Sequence, residues 1–487
     1  MTLQPPWTVE AMAQAMSAER AGALPASVGG ISIDSRSILL GEAFFAIKGD
    51  SRDGHDFVAA ALKGGAGLAV VSADRRGALR LDGISNPPLL VVPEVLEALR
   101  GLARASRARM SAQVIAVTGS VGKTGTKEAL RLALERNGAT HASVASYNNH
   151  WGVPLSLARC PVSTRYAVFE IGMNHAGEIE PLTRLVRPRV AIVTTVEPVH
   201  LEFFGSVEAI ADAKAEIFLG VEPGGVALIN RDNAQFERLK EAARRAGVER
   251  VVSFGAHRDA DARLVKSSLL ADRSAVAARI LGTDITYQLG APGYHVVLNS
   301  LAVLAAASLV GADLALAALA LAELKPAAGR GARIALDLGG GSALLIDESY
   351  NANPASMRAA LALLGQAGIG PRGRRIAVLG DMLELGPSGV ELHREIAEGV
   401  RAHGVDLVFC CGPLMRALWE ALPSERRGGY AESSGALESE LVAAVRPGDA
   451  IMVKGSLGSR MGPLVKALER HFPRRDARPT TPAPLQG

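Results

Sequence analysis

Cysteine and aromatic residues are scarce in this sequence of 487 residues. It contains three cysteines, and aromatic side chains make up 4% of the chain. Cys160, Cys410 and Cys411 form neither a C-x-x-C motif nor a cluster with histidine, and adjacent cysteines rarely pair with each other. These facts argue against a disulfide framework and a zinc module, and we expect a reducing, cytoplasmic location.

No large excess of one charge is present. The chain has 53 basic and 49 acidic residues, a formal net charge of +4, and no basic block. Surfaces that bind nucleic acids need clustered Lys and Arg, often with interleaved aromatic rings. The even charge balance therefore predicts that nucleic acid is not a partner.

An uninterrupted apolar run long enough to span a membrane is also missing. The most apolar segment, residues 301–324, consists largely of alanine and is interrupted by Asp313. This pattern predicts a pair of buried helices broken at 311–313, and we expect no integral membrane segment. The first 16 residues lack the basic region and long apolar core of a signal peptide.

Short β-type runs separated by Ala/Leu-rich helical segments dominate the rest of the chain. The runs are 114–119, 166–172, 190–196, 226–230, 343–349, 375–381, 407–412 and 450–456. Their nearly continuous Val, Ile and Leu content predicts an α/β fold with parallel sheets buried on both faces. Polar residues stand where strands end, which is where open α/β sheets bind ligands: Thr118, Glu170, Asn230, Asp347, Asp381 and Lys454.

The expected organisation is three domains and a tail. Residues 1–108 form a module that ends in a basic helix, and the Gly/Ala/Pro-rich stretch 325–333 is a linker between 109–325 and 326–473. Residues 474–487 are rich in proline, and we expect them to be disordered.

The stretch VIAVTGSVGKTGTKEAL, residues 114–130, predicts a phosphate-binding loop between a strand and a helix. Val117 stands where the strict pattern G-x-x-x-x-G-K-[ST] has its first glycine. Gly119 and Gly122 still allow consecutive N–H groups to point at one anion, and the helix opening near Lys123 adds its dipole. Lys123 would lie along the β- and γ-phosphates, and the Thr124 hydroxyl would face Mg²⁺. The candidate nucleotide-binding residues of this loop are Gly119, Ser120, Val121, Gly122, Lys123 and Thr124.

Four segments resemble the Mur ligase family of ATP-dependent amide-bond ligases in bacterial cell-wall synthesis. They are TGSVGKT (118–124), FEIGMNHAGEI (169–179), DESYNANP (347–354) and VLGDMLELG (378–386). The resemblance runs from about residue 30 to about residue 470. It implies a domain for a UDP-sugar peptide, a central P-loop ATP-binding domain and a smaller Rossmann-like C-terminal domain. The motifs are most similar to members that join D-alanyl-D-alanine to UDP-N-acetylmuramoyl-tripeptide through an acyl phosphate, with ATP and Mg²⁺. We expect a monomer.

The resemblance also implies roles for individual residues. Glu170 and His200 would bind metal beside Thr124, and Lys214 would be carbamylated. Arg330 would reach the phosphates on domain closure, and Asn230 and Asn299 would lie at the nucleotide. The residues implied to contact the other substrates are Ser35, Arg36, Lys48, His55, Asn148, Asn149, Tyr350, Asn351, Asn353, Asp381, Glu384 and Lys454.

Two positions depart from the family pattern. Val296 follows His295 where the family usually has asparagine, which removes one polar side chain near Asn299. Glu348 replaces the second aspartate of D-D-S-Y-N-A-N-P and reaches about one methylene further, so a role for it at the nucleotide requires a small shift of the loop.

Alternatives to this function remain. A sister ligase that adds a single amino acid would share the phosphate loop, Glu170, His200 and Lys214, although YNANP and GDMLELG argue against it. A regulatory P-loop ATPase without ligase activity belongs to another class and would hydrolyse ATP without the other substrates. A nucleic-acid translocase is disfavoured by the charge balance.

Overall fold

The computed structural model describes residues 7–49, 52–144, 146–199, 201–270, 272–326 and 329–475. Its larger sheets follow one another along the chain, so that each sheet belongs to one of three successive regions. Mainly parallel strands with helices between them confirm the predicted α/β class.

The first region contains a five-stranded sheet and a two-stranded ribbon. The sheet has the order β2-β7-β6-β5-β4, in which β2 is antiparallel and the other pairs are parallel, and β1 pairs with β3. Its strands are β1 (Trp7–Thr8), β2 (Glu19–Ala21), β3 (Ser27–Val28), β4 (Ile31–Ser32), β5 (Ala43–Phe45), β6 (Leu68–Ser72) and β7 (Leu89–Val92). Its helices are α1 (Val9–Met16), α2 (Val58–Lys63) and α3 (Val95–Arg109), the last being the predicted basic helix.

The central region is built on a nine-stranded sheet of order β16-β15-β14-β13-β12-β11-β8-β10-β9. The strands are β8 (Gln113–Thr118), β9 (Thr140–Ala142), β10 (Tyr166–Glu170), β11 (Val190–Val193), β12 (Val226–Asn230), β13 (Arg250–Gly255), β14 (Ala262–Leu269), β15 (Ser274–Ile280) and β16 (Thr283–Leu289). The strands from β9 to β14 in this order are parallel, and β14–β16 form an antiparallel meander that the sequence reading did not identify. Because β8 lies between β10 and β11, their polar ends converge.

Helices cover both faces of the central sheet. They are α4 (Lys123–Glu135), α5 (Gly152–Ala158), α6 (Ile179–Val186), α7 (Leu201–Phe204), α8 (Val207–Ala215), α9 (Phe236–Arg245), α10 (Tyr294–Leu309) and α11 (Leu314–Ala320). The predicted helix pair is confirmed as α10 and α11. Gly311 has φ +75° at the break, and Asp313 caps α11 by accepting the amide of Leu316. None of the described helices is both long and apolar enough to cross a membrane.

The third region has a six-stranded sheet of order β17-β18-β22-β19-β20-β21, in which only the edge pair β17–β18 is antiparallel. The strands are β17 (Ala332–Asp337), β18 (Ser342–Glu348), β19 (Arg375–Gly380), β20 (Leu407–Cys411), β21 (Arg427–Ala431) and β22 (Ala450–Lys454). The helices are α12 (Pro354–Gly365), α13 (Gly389–Ala402), α14 (Arg416–Ala421), α15 (Ser434–Ala444) and α16 (Gly462–His471). Arg475 donates its amide to Ala335 at the edge of this sheet, and the rest of the predicted tail, 476–487, lies outside the described residues.

Buried hydrogen bonds fasten the first region to the central one. The Trp7 indole donates to the Ala158 carbonyl at 2.8 Å, and the Ser106 hydroxyl donates to the Leu157 carbonyl at 2.7 Å. Both acceptors lie at the end of α5, whose apolar side chains share a core with the first region. This contact fixes α3 and α5 against each other.

Arg107 of α3 adds a second attachment. Its guanidinium donates to the carbonyls of Val186 and Arg187 at the end of α6, at 2.7 and 2.8 Å. The same group forms an ion pair with Glu222 at 2.8 Å. Burial lowers the pKa of Arg107, although Glu222 opposes the shift. One buried side chain therefore caps a helix of the neighbouring domain.

Candidate active site

The phosphate loop joins β8 to α4 and follows the geometry that its glycines predict. Gly119 has φ +146° and Gly122, the residue before α4, has φ +87°. A Cβ on Gly119 would lie 2.0 Å from the Thr194 hydroxyl, and one on Gly122 would lie 2.5 Å from the Asn299 amide nitrogen. Neither position has room for a side chain. The two glycines therefore keep backbone N–H groups accessible at the start of a helix, as an anion site requires.

Lys123, the first residue of α4, reaches back over this loop. Its ammonium donates to the Gly119 carbonyl at 2.6 Å. Burial lowers the pKa of Lys123, Glu170 opposes this shift, and Arg330 lowers the pKa further. Two cations and one carboxylate therefore act on the same small volume, which suits a polyanion.

Side chains of neighbouring strand ends hold the phosphate loop in place. The Thr194 hydroxyl donates to the Val121 carbonyl at 2.6 Å, and the Asn230 side chain donates to the Thr194 carbonyl at 3.0 Å. Ser120 accepts the amide of Glu197 at 2.9 Å. Asn230, expected at the nucleotide, thus lines the cleft while its hydrogen bonds support the loop. The sequence reading missed Thr194, whose position after a buried strand was its only signal.

Glu170 ends β10 beside the loop and is fully buried. One carboxylate oxygen accepts the Asn148 side-chain amide at 2.7 Å, whereas the other has no hydrogen-bond partner. A buried carboxylate oxygen without a partner is costly, so this atom needs a cation or a donor. Glu170 and Thr124 line the same cleft, and this pair fits Mg²⁺, which takes one or two carboxylates together with phosphate and water oxygens.

His200, the third residue that was predicted to bind metal, lies outside the described residues. In the part of the chain that the structure describes, no three His, Cys, Asp or Glu side chains are grouped closely enough to hold a metal ion.

Lys214 lies in the last turn of α8 and is 2% exposed. Burial holds the pKa of its amine well below the ordinary value, and the charge of Lys123 lowers it further. Its ammonium makes no hydrogen bond or ion pair with the described residues. A buried amine in these surroundings favours the neutral form.

A cleft of about 610 Å³ separates the central and third regions. Its lining brings together predicted residues from both sides: Ser120, Val121, Gly122, Lys123, Thr124, Asn148, Glu170, Asn230, Asn299, Arg330, Glu348, Tyr350, Asn351, Asn353 and Lys454. The volume lies in the ordinary range for a ligand pocket. Of the polar strand ends that the sequence predicted to bind ligands, Glu170, Asn230 and Lys454 line this cleft, whereas Thr118, Asp347 and Asp381 do not belong to its lining.

Arg330 links the two walls of this cleft. Its guanidinium carbon lies 4.2 Å from the centre of the Tyr350 ring, and one nitrogen is 3.4 Å from the Ser146 hydroxyl. Ser146 is in turn 3.4 Å from the Thr124 hydroxyl. The sequence reading missed Ser146, although it begins the SYNNHWGV segment that contains the predicted Asn148.

Lys454, at the end of β22, is 2% exposed and faces the cleft from the third region. Its ammonium donates to the Asn351 carbonyl at 2.9 Å and lies 3.4 Å from Glu348. Burial lowers the pKa of Lys454 and Glu348 opposes the shift. The longer Glu348 side chain therefore partners Lys454. His295 also lines the cleft, and desolvation lowers the pKa of its ring.

Some predicted substrate residues make structural contacts instead. His55 is 8% exposed, and its Nδ1 lies 2.6 Å from Asp53. Its Nε2 accepts the Ser72 amide at 2.9 Å. Both ring nitrogens are thus engaged within the first region, where His55 ties the segment before α2 to the end of β6, and its contact with a substrate stays a prediction.

Three more of these residues cap local structure. Asn149 accepts the amide of Gly152 at the start of α5, and Asn353 forms a capping box with Ser356 at the start of α12. Asp381 accepts the Met415 amide at 2.8 Å, and burial raises the pKa of its carboxyl. This hydrogen bond ties Asp381 to the segment before α14, and its contact with a substrate stays a prediction.

The remaining predicted substrate residues are accessible. The Arg36 side chain is 83% exposed and pairs with Asp34 at 2.7 Å, which lowers the pKa of Asp34 to about 2. Ser35 is half-buried beside it, and Lys48 is exposed. Glu384 is exposed and has a left-handed backbone, with φ +63°.

Comparison with known proteins gives the same assignment for three successive parts of the chain. Residues 27–107 match the model described as Mur ligase family, catalytic domain; 117–307 match Mur ligase middle domain; and 332–457 match Mur ligase, glutamate ligase domain. The UDP-N-acetylmuramoyl-tripeptide–D-alanyl-D-alanine ligase of Escherichia coli is 34% identical over 442 residues, which is 91% of this chain and 94% of that protein.

Solved structures agree with the sequence comparison. MurF from Acinetobacter baumannii has a TM-score of 0.81 and 30% identity, with 96% of this chain and 100% of that chain covered. MurF ligase from Thermotoga maritima in complex with ADP has a TM-score of 0.73 and 26% identity, with 91% and 97% covered. On this evidence, the chain belongs to the Mur ligase family.

Proposed function

We propose that this protein is an ATP-dependent ligase that joins D-alanyl-D-alanine to UDP-N-acetylmuramoyl-tripeptide in peptidoglycan precursor synthesis. The observation that carries the proposal is the cleft in which the phosphate loop and Glu170 face Arg330 and Lys454 of the third region. The names of the relatives supply the substrates, and ADP in the Thermotoga maritima structure supports the nucleotide.

The chemistry requires an anion to attack an anion. A substrate carboxylate oxygen attacks the γ-phosphorus of ATP, which forms an acyl phosphate and breaks the bond to the β-phosphate, so ADP leaves. The amine of D-alanyl-D-alanine then attacks the acyl carbon, loses a proton, and expels inorganic phosphate. Lys123 and the N–H groups after Gly119 offset the charge at the transferred phosphoryl group, and Arg330 adds a second cation.

Glu170 and Thr124 are the described residues that would hold Mg²⁺, and His200 is the predicted third ligand. The partnerless oxygen of Glu170 supports this assignment. The ion would supply positive charge at the phosphates and so lower the barrier to attack by the carboxylate.

Lys214 is proposed to be carbamylated. A neutral amine can add to CO₂, with loss of a proton, to give an anion; its buried position and lowered pKa favour that neutral amine. The proposal predicts that Lys214→Ala loses most activity and that a small carboxylate such as acetate restores part of it. Failure of rescue at every concentration would contradict it.

Each of the three regions would bind a different substrate. Residues 1–108 would bind the UDP-sugar peptide through Ser35, Arg36 and Lys48, and 109–325 would bind ATP. Residues 326–473 would bind the dipeptide near Glu384. We propose that the protein acts as a monomer. Three free cysteines support a reducing compartment, and we place the reaction in the cytoplasm.

Omission of single substrates tests this function. ATP with both other substrates should give ADP, phosphate and the extended peptide in equal amounts, whereas omission of either the tripeptide or the dipeptide should nearly abolish phosphate release. Rapid hydrolysis of ATP alone would favour a regulatory ATPase. Product formation with a single amino acid but not with D-alanyl-D-alanine would favour a sister ligase.

A further inference from the structure

Residues 329–331, here called the 329–331 turn, lie directly before β17 and place Arg330 between two glycines. Both glycines have positive φ, +72° at Gly329 and +97° at Gly331. A Cβ on Gly329 would lie 2.9 Å from the Cβ of Tyr350, so a side chain there would collide with the third region. The backbone on either side of Arg330 is therefore sharply bent and closely packed.

Backbone hydrogen bonds attach this turn to residues 347–350, which include the end of β18. The Gly331 amide donates to the Asp347 carbonyl at 2.8 Å, and the Tyr350 amide donates to the Gly329 carbonyl at 3.1 Å. The two bonds lie on opposite sides of Arg330 along the chain. Arg330 must therefore move with the third region whenever that region moves relative to the central one.

The carboxylate of Asp347 makes a further contact with the turn. One of its oxygens accepts the Gly329 amide at 3.0 Å, and the other accepts the amide and the hydroxyl of Ser349 at 3.1 and 2.6 Å. Asp347 is 9% exposed. Among the described residues, it is the only one whose side chain hydrogen-bonds to the backbone of the 329–331 turn. A buried carboxylate thus holds the turn against the end of β18.

The Arg330 side chain extends from this turn into the cleft. Its guanidinium stacks on the Tyr350 ring at 4.2 Å, and one nitrogen lies 3.4 Å from the Ser146 hydroxyl of the opposite wall. Burial lowers the pKa of both Lys123 and Lys454, and the positive charge of Arg330 lowers each further. The guanidinium therefore lies within electrostatic reach of a lysine on each wall, so that a polyanion in the cleft meets all three charges.

These contacts lead to an inference that rests on the proposed function. We propose that Asp347 is a positioning residue for Arg330: its carboxylate holds the Gly329 amide and so fixes the turn that directs the guanidinium toward the transferred phosphoryl group. Asp347 touches no substrate in this account. A long arginine side chain loses conformational freedom when it is held in one place, and a fixed turn reduces the part of this cost that falls on the reaction.

Two substitutions test the contact between Asp347 and Gly329. Asp347→Ala removes the acceptor, and kcat should fall about tenfold. The KM values for the dipeptide and the UDP-peptide should stay within about twofold, because Arg330 faces the phosphoryl group. Asp347→Asn keeps one oxygen for the Gly329 amide, and its NH₂ group can donate to the Ser349 hydroxyl. We therefore expect the asparagine variant to recover most of the lost kcat.

Asp337 offers a matched control at the other end of β17. Its carboxylate accepts the amide of Gly339, also a glycine in a turn of the third region, at 2.9 Å. Gly339 has the same φ as Gly329, +72°. Asp337→Ala should leave kcat and all three KM values unchanged, because it removes a similar contact from a turn that does not carry Arg330.

A double variant shows whether Asp347 acts through Arg330. If it does, Asp347→Ala combined with Arg330→Ala should have the kcat of Arg330→Ala alone, because the group that Asp347 positions is absent. A general loss of structure would instead multiply the two effects, to about 10³-fold below wild type. The quantity to compare is turnover per folded molecule, with the folded fraction taken from urea unfolding. Multiplied effects would overturn the inference.

Hydrogen exchange at the Gly329 amide tests the positioning without reference to any substrate. Exchange should be faster in Asp347→Ala than in the wild type, and close to wild type in Asp347→Asn and Asp337→Ala. Unchanged exchange in Asp347→Ala would also overturn the inference. If the wild type forms no amide with D-alanyl-D-alanine, the proposed function fails, whereas the exchange result still decides whether Asp347 holds the turn.

Discussion

The two domain boundaries of this protein differ in what they bury. At the first boundary, the side chains of Trp7, Ser106 and Arg107 make buried hydrogen bonds to the central region, and apolar side chains from both sides share a core. At the second, a cleft of about 610 Å³ brings the charged side chains of Lys123, Glu170, Arg330 and Lys454 together among polar and apolar residues. We therefore expect substitutions at the first boundary to change mainly the free energy of unfolding. Substitutions at the second boundary should change mainly the catalytic rate.

Arg330 illustrates how lightly the second boundary is held. Its contacts with Tyr350 and Ser146 are a ring stack and a long hydrogen bond. Relative motion of domains is expected where an interface is small and polar. Closure of the third region over the cleft, followed by opening to release products, is thus the motion that the architecture permits, and it can limit the rate.

The largest effect should come from Lys123, at the centre of the second boundary. Lys123→Ala should lower kcat by at least ~10³-fold, because the charge that offsets the transferred phosphoryl group is lost. The melting temperature should change little, since the side chain donates only to its own loop. Steady-state kinetics with differential scanning calorimetry would check both values. Near-normal turnover would remove Lys123 from the phosphate site.

Arg107 tests the first boundary. Arg107→Ala leaves the carbonyls of Val186 and Arg187 and the Glu222 carboxylate without this partner, and should lower the free energy of unfolding by about 3 kcal/mol. Turnover per folded molecule should remain near the wild-type value. Urea unfolding provides the measurement. Arg184→Ala, which removes an exposed pair with Glu180, is the control and should cost less than about 0.5 kcal/mol.

Arg330 tests whether the linker cation acts in the reaction. Arg330→Ala should reduce kcat by ~10²-fold, about 2.7 kcal/mol of activation free energy. Arg330→Lys retains the charge but not the planar group over Tyr350, so its kcat should lie between those of Arg330→Ala and the wild type. Steady-state kinetics would give kcat for both variants, and urea unfolding would check that each variant is folded. Equal activity of the alanine variant and the wild type would restrict Arg330 to a structural link.

The smallest effect concerns the pH dependence of stability from Lys214. Its pKa is lowered in the folded protein, so between that value and the unfolded value of about 10.4 the unfolded chain binds a proton that the folded chain does not. Stability should therefore rise with pH in this window, and Lys214→Met should flatten the rise.

Urea unfolding of the Lys214 variant from neutral pH to pH 10, in buffers freed of CO₂, supplies the measurement. Lys266→Met, at an exposed lysine, should keep the wild-type slope. A slope unchanged by Lys214→Met would mean that the Lys214 pKa is ordinary in the folded state.

Local patterns were sufficient to predict eight strands and the polar residues at several of their ends, namely β8, β10, β11, β12, β18, β19, β20 and β22; the other strands were not among the predicted runs. A buried parallel strand produces a continuous apolar run, and the chain leaves it where a polar residue such as Glu170 appears. The phosphate loop is equally local, since Gly119 and Gly122 mark the turn themselves. The meander β14–β16 has shorter apolar stretches and mixed burial, so its pattern was weaker.

Contacts between distant residues could not be read in this way. His55 and Ser72 meet across two loops, as do His393 and Met382, and nothing near either histidine in the sequence identifies its partner. Asn353 is different, because Asn-Pro-Ala-Ser before an apolar run is a recognisable helix start. A family motif thus contains residues that bind a ligand and residues that hold the local backbone in place. Only the three-dimensional structure distinguishes these two kinds of residue.

The most direct test of the account follows oxygen from the substrate carboxylate. Tripeptide labelled with ¹⁸O in that carboxylate should transfer one labelled oxygen to each phosphate released when ATP and D-alanyl-D-alanine are present, because the acyl phosphate leaves that oxygen on phosphorus. Phosphate without the label, formed at the same rate as the amide product, would contradict phosphorylation of the acid in the cleft.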